Sequence, residues 1–260
     1  MRGLAIVIAL LVGGCDLVFD VTVYDPKTDE DLDGVPNIRD NCPGIANPKQ
    51  EDSGEVVALL DPDGVGDACD PKTEDPGDTV IARYFFTDPL VDGEQWIADG
   101  DWTFEDGYAE VDASGKVATL EAKARAPLDQ VRTTVEVGIE VIGRNDAGTF
   151  AAAIDFIDRR VEIDPGNPPT IALISTSVLE APDPVTVALP NRVVLQLRRE
   201  RATGLPADLK GFIRNLNDVD KGADAPATDP VDTGRVLVRI ANVHVRVHHV
   251  LVYGTPGLAP

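Results

Sequence analysis

The residues best placed for chemistry lie near the start of the chain. In Asp29-Glu30-Asp31-Leu32-Asp33-Gly34-Val35-Pro36-Asn37-Ile38-Arg39-Asp40, carboxylates stand at positions 1, 3, 5 and 12, with Gly at 6 and Asn at 9. Oxygen donors at that spacing suit a hard divalent cation, Ca2+ above all. Side chains would supply most of the shell, the carbonyl of position 7 (Val35) another oxygen, and the glycine the sharp turn. Position 12 is Asp rather than Glu, which shortens its reach for a two-oxygen contact. A second stretch, Asp61-Pro62-Asp63-Gly64-Val65-Gly66-Asp67-Ala68-Cys69-Asp70, places Asp61, Asp63, Val65, Asp67 and Asp70 at positions 3, 5, 7, 9 and 12. Two residues before Asp61 stands Leu59, which is no ligand. Asp52 can supply the missing carboxylate if residues 54–60 loop out, an insertion whose closure entropy is modest. The alternative for both stretches is a solvated acidic linker.

Composition favours ions over nucleic acid. The 260 residues carry 45 acidic and 23 basic side chains, a net charge of −22, so the basic face of a general nucleic-acid binder is missing. The acid is concentrated: residues 16–78 hold 14 Asp and 4 Glu against 3 Lys and 1 Arg, a net −14, leaving −9 for residues 79–260. So charged and apolar-poor a stretch cannot fold on hydrophobic burial alone. Bound cations would organise it, and their removal should loosen it. Over the whole chain, 43% apolar residues are enough for a real core elsewhere.

Residues 1–14 read as an address. Met1-Arg2 is a short positive start, and Leu4 to Val12 is an apolar run too short to span a bilayer core of about 20 residues. Leu11-Val12-Gly13-Gly14-Cys15 resembles a bacterial lipobox. That resemblance implies cleavage before Cys15, lipidation of its thiol, and membrane anchoring on the extracytoplasmic side by several acyl chains. Of three cysteines, a lipidated Cys15 leaves Cys42 and Cys69, an even pair in an oxidising compartment.

The acidic loops, with Asp40-Asn41-Cys42-Pro43 and Asn47-Pro48-Lys49-Gln50 between them, resemble thrombospondin type 3 repeats over residues 29–70. The resemblance implies Ca2+ held by Asp29, Asp31, Asp33, Asn37, Asp40 and the Val35 carbonyl. It also implies a Cys42–Cys69 disulfide. A second site from Asp52, Asp61, Asp63, Val65, Asp67 and Asp70 is expected to be the weaker one.

Residues 79–257 read as about a dozen strands separated by turn residues, among them 80–86, 117–122, 131–142, 192–199, 235–242 and 243–253. The expected fold is mainly β: an antiparallel β-sandwich of jelly-roll type. Phe85-Phe86-Thr87-Asp88, Trp96 and residues 100–108 at one end, with residues 234–238 and 245–253 at the other, resemble concanavalin A-like, laminin G-like domains. Domains are thus expected at 1–14 (signal peptide), 15–28 (anchor and linker), 29–70 (calcium repeats), 71–78 (linker) and 79–257 (sandwich).

Other constellations carry less. The Glu-x-Asp-x-x-Glu strand of one glycosidase family, whose two carboxylates must stand about 5–5.5 Å apart, does not occur, and Glu136 and Glu140 are spaced too widely for that job. His244, His248 and His249 find no obvious third metal ligand and read as solvent-facing; in an unbroken strand His244 and His248 share a face and His249 points away. Trp96 and Trp102 read as core. Arg198-Arg199-Glu200-Arg201 reads as an exposed basic strand end, and residues 217–232 as a long loop available for binding. No catalytic residue is assigned. The expected protein is a lipid-anchored, calcium-binding display protein whose sandwich meets a glycan or a surface protein, with calcium stiffening the stalk that carries it. A polysaccharide-degrading hydrolase or its accessory subunit is the alternative, and a purely structural envelope lipoprotein a third.

Overall fold

The computed structural model describes residues 29, 31–37, 39–53, 56, 61–70, 78–105, 107–125, 130–143, 149–154, 160–164, 170–175, 178–179, 183–184, 192–200, 207–214, 223–227 and 234–256. Cys15 and the signal and anchor segments lie outside them. Among the described residues no helix is long and apolar enough to cross a membrane.

The described residues between 79 and 256 form sixteen strands and one short helix. In chain order the strands are β1 (Thr79–Tyr84), β2 (Trp96–Asp99), β3 (Thr103–Glu105), β4 (Tyr108–Asp112), β5 (Val117–Ala122), β6 (Gln130–Gly143), β7 (Thr149–Ile154), β8 (Arg160–Asp164) and β9 (Thr170–Ser175). They continue as β10 (Val178–Leu179), β11 (Asp183–Pro184), β12 (Arg192–Glu200), β13 (Ala207–Arg214), β14 (Ala223–Ala227), β15 (Val236–Ala241) and β16 (His244–Pro256). One antiparallel sheet runs β14-β13-β12-β6-β16-β4-β3, with β1 beside the second half of β16; the other runs β10-β9-β8-β7-β15-β5-β2, with β11 on β9. The fold is a mainly-β sandwich, as expected.

Alternation builds the core between the sheets. Val135, Val137 and Ile139 of β6, Val193, Leu195 and Leu197 of β12, and Val236, Val238 and Ile240 of β15 are buried in one apolar cluster. Each buried side chain of this size contributes about 1.5–3 kcal/mol relative to exposure. Phe86 and Trp96 stack with ring centroids 5.8 Å apart, and Tyr84 tilts against Trp96 at 4.8 Å. Trp96 is therefore core, and Trp102 packs partly buried against the same cluster, both as expected.

Three features depart from expectation. Helix α1 (Pro89–Gln95) precedes β2, and its sequence signal was a cap: Asp88 accepts from the Leu90 and Val91 N–H groups, Pro89 opens the first turn, and Asp92 accepts in return from the Asp88 N–H. Strand β14 lies inside the stretch expected to be a long loop, pairing Ala223–Ala227 with β13. Arg198 and Arg199, expected at an exposed end, are buried on an inner strand of the first sheet, with β6 and β13 on either side of β12.

Candidate metal centre and its seat on the sandwich

In the first loop, carboxylate oxygens of Asp29, Asp31 and Asp33 lie within 4.8 Å of one another, the one such grouping among the described residues. The backbone is wound inward to bring them together. Asp29 accepts from the Asp33 and Gly34 N–H groups at 3.2 and 2.9 Å, and Asp33 from the Val35 N–H at 2.7 Å. Gly34 sits at φ +93°, in the left-handed region that favours glycine. Asp40 and Asn37 close the far end, each 1% exposed.

Electrostatics mark the loop as unfinished without a cation. One oxygen of Asp31 and one of Asp40 are buried with no hydrogen-bond partner. Burial, then the neighbouring Asp40 charge, pushes the Asp31 carboxyl up to about 7, and burial likewise raises Asp40. Buried, mutually repelling carboxylates with lone pairs to spare are the donor set a hard cation satisfies. Those residues fit Ca2+.

Residues 61–70 repeat the winding. The Gly64 N–H donates to Asp52 at 3.0 Å as Gly34 does to Asp29, the Val65 N–H donates to Asp63 at 2.9 Å as Val35 does to Asp33, and Gly64 has φ +91°. Asp52 thus stands where a first carboxylate belongs, despite the insertion. One Asp52 oxygen is buried without a hydrogen-bond partner, and burial raises Asp63. Asp67 accepts from the backbone and hydroxyl of Ser53, Asp70 is buried, and Asp61 stays exposed.

Gln50 adds contacts that the ligand spacing does not announce. Its amide donates to Asp40 and to the Asn47 side chain, both at 2.8 Å, and its carbonyl accepts from the Asn41 N–H at 2.9 Å, so it braces the far end of the first loop. The only sequence signal was its place in the Asn47-Pro48-Lys49-Gln50 run.

Cys42 and Cys69 form a disulfide. Both are fully buried in a second apolar cluster, where they and Val65 meet Phe85, Leu251 and Tyr253 of the sandwich. The segment around Cys42, Gly44, Val65 and Cys69 is therefore not a free stalk. It sits on the outer face of the sheet that contains β6, β12 and β16.

A bulge makes this seat. Along β16, Val245 and Val247 face the core, and the register against β6 then shifts between Val247 and His249, so that Val250 and Val252 face inward instead. His248 and His249 both end up outward, which overturns the expectation that they point to opposite faces. Nor are they solvent-facing: His248 is 7% and His249 2% exposed. A Cβ on Gly138 of β6 would fall 2.3 Å from the His249 ring, and one on Gly44 would fall 2.4 Å from it. The imidazole is thus keyed between two glycines, one in the sheet and one in the acidic module. Its Nε2 lies 3.3 Å from Glu136, which is fully buried and accepts from Gln196 at 2.6 Å. Gln196 also reaches the Cys69 carbonyl at 3.4 Å.

Beyond the seat the same face carries paired charges. His244 and Arg246 each contact Glu110 at 2.7 Å, and the Arg246 bond chiefly holds that carboxyl below its usual range. His248 contacts Glu140 at 2.9 Å and Arg192 at 3.1 Å, while Arg246 lies 4.4 Å over the Tyr108 ring. Glu136 and Glu140 thus sit in different surroundings, the first sealed beneath the module and the second tied to His248.

Fold and site together define a two-sheet β-sandwich with a disulfide-braced, calcium-type acidic module on one face. The thrombospondin type 3 repeat family model matches residues 26–50, which takes in the first loop and stops short of the second. No curated protein matches the chain. Among solved structures, the carbohydrate esterase of the Shiga toxin-encoding bacteriophage phi24B is similar at 15% identity and TM-score 0.48, over 69% of this chain and 100% of that one. The metal-free carbohydrate recognition domain of Emp46p is similar at 13% identity and TM-score 0.48, over 64% and 91%. The legume lectin-like domain of Entamoeba histolytica is similar at 10% and 0.46, over 65% and 93%.

Proposed function

We propose that this protein is an extracytoplasmic, lipid-anchored calcium-binding protein that presents its sandwich to a glycan or a surface protein. The observation that carries the calcium part is the pair of buried carboxylate oxygens, on Asp31 and Asp40, left without hydrogen-bond partners in a loop where Asp29 and Asp33 also converge. A cation held by Asp29, Asp31, Asp33, Asn37, Asp40 and the Val35 carbonyl neutralises that cluster, and the loop around Asp52, Asp61, Asp63, Val65, Asp67 and Asp70 offers a second set of oxygens. Cys15 carries the acyl chains, and the sandwich, non-catalytic in this reading, is the part that meets the ligand.

Calorimetric titration of the oxidised chain with CaCl2 tests the calcium part. Saturable heat that Asp31→Asn with Asp33→Asn abolishes at the tighter site supports it; absence of heat, or heat unchanged in the double variant, refutes it. Binding to a glycan array, in millimolar calcium and again in chelator, tests the display part. Selective binding assigns a glycan ligand, and a blank array in both conditions moves the assignment to a protein partner.

A further inference from the structure

A short run of residues joins the first acidic loop to the sandwich. Asp40, the last ligand position of the first loop, accepts the Cys42 N–H at 2.8 Å with the oxygen that also takes Gln50. Cys42 is bonded to Cys69, whose carbonyl accepts from Gln196, and Gln196 in turn donates to Glu136 beside His249. Two residues after Cys42, Gly44 covers the His249 ring. The turn at residues 40–44 therefore carries a cation ligand at one end and the cap of the imidazole at the other.

We propose that calcium occupancy of the first loop and the seating of Cys42, Gly44 and Cys69 on the sheet are one coupled equilibrium, transmitted through Asp40, Cys42 and the His249 ring held between Gly44 and Gly138. The inference rests on the calcium reading above. With no cation, Asp40 keeps a buried oxygen without a partner and gains by turning toward water, which moves Cys42 and Gly44 with it. Lifting Gly44 uncovers His249, Glu136, Gln196, Leu251 and Tyr253. The sandwich does not have to unfold for this, because its main apolar cluster is separate from the small one shared with the module. Coupling is reciprocal: whatever unseats the module must weaken calcium binding by the same factor.

The experiment uses the full chain in mild detergent. Diethylpyrocarbonate labels accessible imidazoles, and mass spectrometry locates the label. His244, whose side chain is 29% exposed, serves as the internal reference for His249, at 3%. In calcium His244 should label and His249 should not; in chelator both should label. Gly44→Ala, which replaces no calcium ligand and whose Cβ would meet the His249 ring, should push the module off the ring, lower calcium affinity on the order of tenfold, and expose Tyr253 and Leu251 to hydroxyl-radical labelling even in calcium. Adding His249→Ala, which removes the obstructing ring, should recover most of that affinity. Equal His249 labelling with and without calcium, or Gly44→Ala binding calcium as tightly as the parent, overturns the coupling while leaving the calcium reading intact. No calcium heat in the parent chain overturns both. The labelling arm needs no variant, so misfolding of Gly44→Ala does not rescue the proposal.

Discussion

Replacing Cys42 and Cys69 together by Ala should cost the acidic module most of its calcium affinity while sparing the sandwich. The bridge spans a sequence separation of 27. In the chain-entropy account, opening a loop of that length returns about 3.5 kcal/mol of conformational freedom to the unfolded segment at 25 °C. Among the described residues of this segment, Cys42, Val65 and Cys69 are buried in a cluster that they share with Phe85, Leu251 and Tyr253 of the sandwich, so the bridge and that shared contact act together. Removing two buried sulfurs thins that cluster further. Calcium binds the wound loop and not the open chain, so apparent affinity falls with the fraction wound, by up to about 300-fold for 3.5 kcal/mol. The assay is a calorimetric calcium titration of both proteins beside far-ultraviolet circular dichroism melts in calcium and in chelator. The double variant should bind calcium weakly yet keep the sheet melt of the parent in chelator. An unchanged calcium affinity would refute the claim that the bridge holds the loops in place; a sheet melt lowered along with it would refute the claim that the sandwich core is independent.

Three further perturbations have a definite sign. Asp31 in the calcium-free protein is raised from 3.8 to about 7, so between those values the folded state holds a proton that the unfolded chain has lost, and stability falls as pH rises across that window. Calcium must displace that proton: titrations in buffers of different ionisation heat should show more proton release at pH 6 than at pH 8, and release that does not vary with pH would rule the assignment out. Trp96→Ala empties a 3%-exposed site between Tyr84 and Phe86 and should destabilise the sandwich by about 3–5 kcal/mol in urea unfolding, with calcium heat preserved. Arg132→Met strands the buried Asp78 carboxylate that it holds at 3.0 and 3.1 Å and should cost about 3–5 kcal/mol, whereas Arg132→Met with Asp78→Asn should recover a large part, as judged by the same unfolding curves.

The sandwich was legible because alternation is a local signal. Strand β6 was expected over residues 131–142 and spans Gln130–Gly143; β12 was expected over 192–199 and spans Arg192–Glu200. The winding of the acidic loops was legible for a similar reason, since ligand spacing and the glycine turn are contiguous in sequence. Helix α1 was missed although Asp88-Pro89 and Asp92 spell a cap, because seven residues give no room for an apolar period to show. Strand β14 was missed because Ala-Asp-Ala-Pro-Ala has no strand-forming side chains, and only its pairing with β13 makes it a strand. The histidines were misplaced for a sharper reason: one extra residue in β16 reverses the inward and outward faces of everything after it, and no residue type announces such a bulge.

That reversal also explains why the acidic module lies against the sheet instead of extending from it as a stalk. A strand with one face in water should alternate apolar and polar residues, as β16 does over His244-Val245-Arg246-Val247. After the bulge the text becomes Val250-Leu251-Val252-Tyr253, apolar at every position, and all four are at most 2% exposed. Val250 and Val252 belong to the core between the sheets, so Leu251 and Tyr253 require a cover on the other side. The module is the counterpart: Cys42, Val65 and Cys69, with Ile45 and Ala68 packed beside them, meet Phe85, Leu251 and Tyr253 in one cluster. Each half contributes apolar surface to the contact, and Gln196 bridges it by donating to the Cys69 carbonyl and to Glu136, whose other oxygen lies 3.3 Å from the His249 ring. The two-sided apolar run at the end of β16 is therefore a sequence feature that demands a docked partner, and at Gly44 and Gly138 a side chain would collide with the His249 ring at that contact.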